Sequence, residues 1–255
     1  MVPPMSATPA NWSLPTPVAG GEQLDLWLLR LPAADVDPSA LDPSALSARE
    51  RQRGAAFRRT YDQFRYLSAH IGLRHILGGY LAIHPAEVTY AQVPCTVCGR
   101  PHGKPVVVTA DESPLHFSLS HSGAMVAVAV ATAPVGADVQ VTPRPGTVEA
   151  CIPFLHPRER EELAAMPQEE RRSTFGRLWT RKEAYLKGLG TGLSHGAAQK
   201  HYLGADVTGT PSGWTVRDIP CGHGHSAAIA IRGGLAVPVT VRRSGHELVC
   251  RGHQP

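Results

Sequence analysis

Runs of apolar residues with two different periods mark out the elements of this chain. Residues 24–31, Leu-Asp-Leu-Trp-Leu-Leu-Arg-Leu, form an apolar run that predicts a strand, followed by a Pro-containing loop over 32–43. Residues 44–57 and 62–80 read as helices, the second closed by Gly78-Gly79. Residues 125–131 are a continuous run of small apolar side chains, the pattern of a buried central strand. Residues 135–141 alternate strictly, with Val135, Ala137, Val139 and Val141 on one face and Asp138 and Gln140 on the other. A helix is predicted from about Pro157 to Met166. A longer one follows from about Glu169 to Leu189, with Phe175, Leu178, Trp179, Leu186 and Leu189 close to 3- and 4-residue spacing. Residues 207–243 supply three or four short strands broken by Gly and Pro.

Each half therefore runs strand, helices, strands. The division expected is a flexible tail over 1–21, one α/β subdomain over 22–132 and a second over 133–250. Apolar residues make up 42% of the 255, enough for a packed core, and the 18% charged is too little for a disordered chain. The longest apolar run, 124–131, is far shorter than the ~20 residues that span a bilayer. The first 21 residues lack a basic stretch followed by an apolar one, so they do not read as a signal peptide. A cytoplasmic protein is expected.

The net charge of +4 suits an acidic partner or a polyphosphate. Nucleic acid is disfavoured as a partner, because there is no lysine-rich tract and no aromatic-basic ladder. Arg49, Arg51, Arg53, Arg58 and Arg59 make the first helix region markedly basic. Five cysteines are an odd number, and only Cys95 and Cys98 have metal-ligand spacing, with His102 four residues on. Free thiols are the expectation; a small structural metal site there and a disulfide stay open.

Two positions carry candidate chemistry. Asp138 and Gln140 project from one strand face, about 7 Å apart along the backbone, close enough for two side-chain oxygens to converge on a hard cation. Glu183 and Lys187 lie four apart on one side of the long helix, at the edge of its apolar stripe. There they could clamp a metal-bound phosphate, or they could be an exposed pair worth only ~0.3–0.5 kcal/mol. Lys182, nearer the apolar stripe, reads equally as a snorkelling stem with a structural partner.

The segments Val135-Gly136-Ala137-Asp138-Val139-Gln140 and Trp179-Thr180-Arg181-Lys182-Glu183-Ala184-Tyr185-Leu186-Lys187 resemble the paired signature of the 4′-phosphopantetheinyl transferases. His102-Gly103-Lys104-Pro105, Phe117-Ser118-Leu119-Ser120-His121-Ser122-Gly123 and Gly190-Thr191-Gly192-Leu193-Ser194 resemble three further family segments, in the same order. The likeness covers roughly residues 45 to 200. It implies an α+β (α/β) fold of the larger, Sfp-like class, with two similar α/β subdomains facing each other as a pseudo-dimer within a monomer. It also implies transfer of the phosphopantetheine arm of coenzyme A to a serine of an apo acyl or peptidyl carrier protein, with release of 3′,5′-ADP. The larger class often serves polyketide and nonribosomal peptide biosynthesis. The implied cation is Mg²⁺, with Mn²⁺ as a possible substitute.

By the same resemblance, Asp138, Gln140 and Glu183 hold the metal, with Glu183 serving as ligand, as base for the serine proton, or as both. Lys187 contacts a phosphate, Ser120 and His121 lie where the family holds the coenzyme A pyrophosphate, and Lys104 binds the nucleotide end. Arg53 and Arg65 match the family's 3′-phosphate positions, with Arg49 and Arg58 open as replacements for Arg53. Gln140 departs from the family's usual Glu. The competing reading is a non-catalytic module that binds coenzyme A or a carrier protein, and a Mg²⁺-dependent phosphohydrolase is a third.

Overall fold

The computed structural model describes residues 24–94, 99–100, 103–108, 115–193, 196–204, 211–233 and 238–250. The expected tail and the Cys95, Cys98 and His102 cluster lie outside them. Four layers stack in the order helix, sheet, sheet, helix. The first sheet has the order β4-β5-β1-β9, from β1 (Leu24–Arg30), β4 (His116–Ser122), β5 (Met125–Ala131) and β9 (Val239–Ser244). The second has the order β6-β8-β7, from β6 (Val135–Val141), β7 (Trp214–Asp218) and β8 (His225–Arg232). A two-stranded ribbon, β2 (Tyr90–Gln92) with β3 (Pro105–Val107), stands beside them.

Alternation explains the layering. In β1, Trp27 and Leu29 pack against the long helix α2 (Thr60–Leu81), while Leu24, Leu26 and Leu28 point the other way. Those three meet Val135, Ala137 and Val139 of β6 and Ile229 and Ile231 of β8, so the two sheets pack face to face. The remaining face of the second sheet, with Val216, Ala228 and Ala230, is covered by Ala184, Tyr185 and Leu186 of α5 (Gln168–Leu189). Asp138, on that face of β6, consequently points at α5. The short helices α3 (Pro145–Cys151) and α4 (Pro157–Ala165) add Val148 and Leu163 to a small core around Phe175 and Leu178 of α5.

Three local features differ from the sequence expectation. The first helix, α1, runs only Ala48–Ala55, because Ser47 caps it: its hydroxyl accepts from the Glu50 N–H and the Glu50 carboxylate accepts from the Ser47 N–H. Gly78-Gly79 do not end α2, which continues to Leu81 and closes on left-handed Ala82 (φ 52). The glycine is there for space, since a Cβ on Gly78 would lie 2.9 Å from the Ile83 carbonyl oxygen. Finally β9, near the C-terminal end, runs parallel to β1 in the first sheet, with Val239 opposite Leu24. Arg242 of β9 approaches the buried Asp25 carboxylate, which also accepts a short hydrogen bond from the Tyr80 hydroxyl. No helix among the described residues is long and apolar enough to cross a membrane.

Candidate active site

The long helix lies unusually close to β6, and glycine makes that possible. A Cβ on Gly136 would sit 1.9 Å from the Ala184 carbonyl oxygen and 2.5 Å from the Gly188 nitrogen. A Cβ on Gly188, on the facing side of α5, would lie 2.6 Å from the Trp214 ring. One residue past Gly136, on the sheet-facing side, the backbone of Ala137 carries the strand on; Asp138 then turns back towards the helix. Its carboxylate is 1% exposed. Oδ1 accepts from Lys187 Nζ at 2.6 Å and from the Ser120 hydroxyl at 2.7 Å, while Oδ2 is buried with no partner among the described residues. Lys187 also donates to the Ala137 carbonyl at 3.3 Å.

Glu183 stands one helical turn before Lys187. Burial pushes its carboxyl above the usual range, and the charge of Asp138 pushes it the same way, against the pull of Lys187. Glu183 thus feels both the Asp138 carboxylate and the Lys187 ammonium that is bonded to it. Such a pair of carboxylates suits a hard divalent cation, which would relieve their repulsion and give Asp138 Oδ2 a partner. Gln140, next on the same face of β6, is half-buried and offers a neutral oxygen. Among the described residues there is no group of three His, Cys, Asp or Glu side chains able to hold a metal.

On the far side of Lys187 opens a cleft of about 1390 Å³. Arg49, Arg53 and His70 from the α1–α2 half and Lys104, Gly190 and Thr191 from the opposite side form part of its wall, and Lys187 reaches into it. Lys104 donates to the Val135 carbonyl at 2.7 Å, and burial lowers its ammonium to about 8. Gly103 before it lets the backbone pass against Val93 and Pro94, where a Cβ would lie 2.4 Å from the Val93 oxygen. His121 on β4 is pushed down to about 4, first by burial and then by the positive charges of Arg65, His70 and Lys187. It is therefore neutral at pH 7, with Nδ1 buried and without a partner among the described residues, in surroundings that favour an anion.

The structure thus gathers Asp138, Glu183, Lys187 and Ser120 at the α5–β6 contact, and places Arg53, Lys104 and Lys187 on one cleft. Arg65 stands apart from the cleft wall, paired with Asp62 at 2.9 Å and felt electrostatically by His121. Lys182 points away from both regions. It is 1% exposed, and its three protons go to Glu159 at 2.8 Å, the Ala198 carbonyl at 2.6 Å and the His201 carbonyl at 2.5 Å. Sequence reasoning missed three things. Gly136 and Gly188 set the helix–strand distance, signalled only by a glycine inside a strand pattern. The Glu159 partner of Lys182 had no local signal. Ser118, Ser120 and Ser122 recur at period two on β4, and their hydroxyls accept from the Ala137, Val139 and Val141 N–H groups of β6, joining the edges of the two sheets.

Compared with known proteins, residues 134–220 match a family model described as the 4′-phosphopantetheinyl transferase superfamily. The 4′-phosphopantetheinyl transferase HetI of Nostoc is 33% identical over 177 residues, 68% of this chain and 71% of that protein. A Synechocystis protein is 31% identical over 156 residues, 60% of this chain and 61% of its own length. The 4′-phosphopantetheinyl transferase Sfp of Bacillus subtilis is 27% identical over 151 residues, 59% of this chain and 63% of its own length. The match to the Synechocystis and Bacillus proteins thus spans less than two thirds of their length.

Proposed function

The chain belongs to the 4′-phosphopantetheinyl transferase family, and on that premise we propose that it transfers the 4′-phosphopantetheine arm of coenzyme A to a serine of an apo carrier protein. The observation that carries this reading is the position of Lys187. One ammonium touches the buried carboxylate of Asp138 and also lines the basic cleft. Acid pair and polyanion site are therefore adjacent.

The reaction is attack by a serine hydroxyl oxygen on the β-phosphorus of coenzyme A. A new P–O bond forms to the serine, the bond to the bridging pyrophosphate oxygen breaks, and 3′,5′-ADP leaves with those electrons. Lys104 and Arg53 hold the nucleotide end in the cleft, with Lys187 and His121 near the phosphates and Arg65, outside the cleft wall, adding positive charge beside His121; Arg forks match phosphate oxygens in pairs. Lys187 stabilises charge on the phosphoryl oxygens as the bond breaks. Glu183, its carboxyl raised by burial, takes the serine proton more readily than an ordinary carboxylate. Asp138 through Oδ2, Glu183 and the Gln140 amide oxygen would hold Mg²⁺, which neutralises pyrophosphate charge when bound.

The two halves, each a sheet covered by a 22-residue helix, support a pseudo-dimer within one chain. The five arginines on and just after α1 suit an acidic carrier protein by charge. A monomeric, cytoplasmic enzyme with no nucleic-acid or membrane partner completes the proposal. Gln140 is the one observation favouring the rival, a coenzyme A or carrier-binding module without catalysis.

The deciding experiment is the intact mass of apo carrier proteins after incubation with the protein, coenzyme A and Mg²⁺. A gain of one phosphopantetheine arm, absent with Asp138→Ala, is expected. No gain across fatty-acid, polyketide and peptide carrier proteins, alongside measurable coenzyme A binding, would establish the non-catalytic module instead.

A further inference from the structure

The serines of β4 share a job, and one has a second. Each of Ser118, Ser120 and Ser122 accepts a β6 N–H, at 3.0, 3.3 and 3.1 Å. These bonds replace a strand-to-strand ladder where the sheets meet edge to edge, satisfying N–H groups that burial would otherwise leave costly. Ser120 alone also donates to a side chain, the Asp138 carboxylate, at 2.7 Å. Ser120 is 6% exposed and Asp138 1%. With its oxygen fixed from one side by the Val139 N–H and its proton committed to Asp138, the hydroxyl is turned inward, away from the cleft.

An Asp carboxyl rotates over a broad, two-fold well about its last torsion, so one hydrogen bond does not set its plane. Here Ser120 and Lys187 converge on the same oxygen from different strands of structure, β4 and α5, at 2.7 and 2.6 Å. The carboxyl plane is then defined, and Oδ2, buried and without a partner among the described residues, is left facing one direction. Lys187 is 30% exposed and reaches the cleft wall, so Oδ1 is held at once by the buried Ser120 from the sheet seam and by Lys187 from the side of the phosphates.

We propose that Ser120 is a positioning residue for Asp138: it pins Oδ1 so that Oδ2 alone is presented to a divalent cation shared with Glu183. This rests on the transferase reading for its purpose, and departs from a coenzyme A contact for Ser120. Outer hydrogen bonds that orient a metal-binding carboxylate are typically worth 10–100-fold in metal affinity.

The test compares Ser120→Ala with Ser122→Ala and Ser118→Ala, which remove the same kind of seam bond but not the bond to Asp138. Mn²⁺ binding, followed by electron paramagnetic resonance with coenzyme A present, should weaken about 10-fold or more in Ser120→Ala. It should stay within about threefold of wild type in the other two, and Ser120→Thr should restore most of the affinity. In the transfer assay, Ser120→Ala should need more Mg²⁺ for half-maximal rate while its KM for coenzyme A at saturating Mg²⁺ is unchanged. A raised KM for coenzyme A at saturating Mg²⁺, equal Mn²⁺ affinities across the three alanine variants, or no Mn²⁺ binding by the wild type would each overturn the proposal. If the wild type transfers nothing to any carrier protein yet loses Mn²⁺ only with Ser120→Ala, the transferase reading fails and the positioning role stands.

Discussion

Replacing Lys182 by Met separates two roles that a signature lysine can play. The side chain is buried together with its partner: it is 1% exposed, and Glu159 is 0%. Glu159 also accepts from the Leu203 N–H at 2.7 Å and the His156 N–H at 2.9 Å, so the pair ties α5 to the start of α4 and to the segment before the next strand. Met fills nearly the same volume, so the cost is electrostatic. Removing one partner of such a pair leaves an uncompensated buried charge, about 3–5 kcal/mol. For a chain of this size each kcal/mol moves Tm by about 2–4 °C, hence a fall of about 6–20 °C. Thermal and urea unfolding followed by far-UV circular dichroism would read it. Adding Glu159→Gln removes the stranded charge, so the double variant should recover about 1–3 kcal/mol relative to the sum of the singles. Assayed well below its own Tm, Lys182→Met should keep transfer within a few-fold of wild type. A loss under about 1 kcal/mol together with a rate reduced 100-fold would refute the reasoning and make Lys182 a ligand contact.

Gly136→Ala should cost about 2–3 kcal/mol and lower transfer, because its Cβ would drive the Ala184 backbone, and with it Glu183 and Lys187, off β6. Gly146→Ala, whose Cβ meets nothing within 4 Å, is the control and should be neutral or slightly stabilising; equal effects in unfolding would disprove the close-contact argument. Lys104 loses its proton near pH 8 in the folded protein because burial disfavours the ammonium, whereas the unfolded chain keeps it towards 10.5. A neighbouring anion raises that value, so binding coenzyme A at pH 8 should take up about half a proton, seen by calorimetry in buffers of different ionisation enthalpy. Lys104→Met should abolish the uptake, and persistence would remove Lys104 from the phosphate site. Gln140→Glu should leave transfer intact and lower the Mg²⁺ needed for half-maximal rate; an unchanged requirement would mean that position 140 does not touch the metal.

The elements were legible because each is written in a local period. Strict alternation over 135–141 put Val135, Ala137 and Val139 against the other sheet and Asp138 against the helix, which is where they lie. The apolar stripe of 175–189 placed the long helix to within a residue or two, and the uninterrupted run 125–131 became an interior strand, paired on both sides by β4 and β1. Helix ends were less legible. Whether Gly78 stops a helix or makes room for a returning loop depends on Ile83 and Pro85, which reach it only in three dimensions.

What the sequence alone determined, then, is the inventory of strands and helices, the faces of β6 and α5, and the residue types at the candidate acid–base pair. These follow from periods of two and 3.6 residues, which a chain carries before it folds. Tertiary structure decided everything that depends on distant partners. It placed β9 beside β1, two hundred residues apart, and buried Lys182 on Glu159 rather than at the cleft. It turned Ser120 inward onto Asp138 and left one carboxylate oxygen free, because a hydroxyl has no preferred partner until the two sheet edges meet and offer it one.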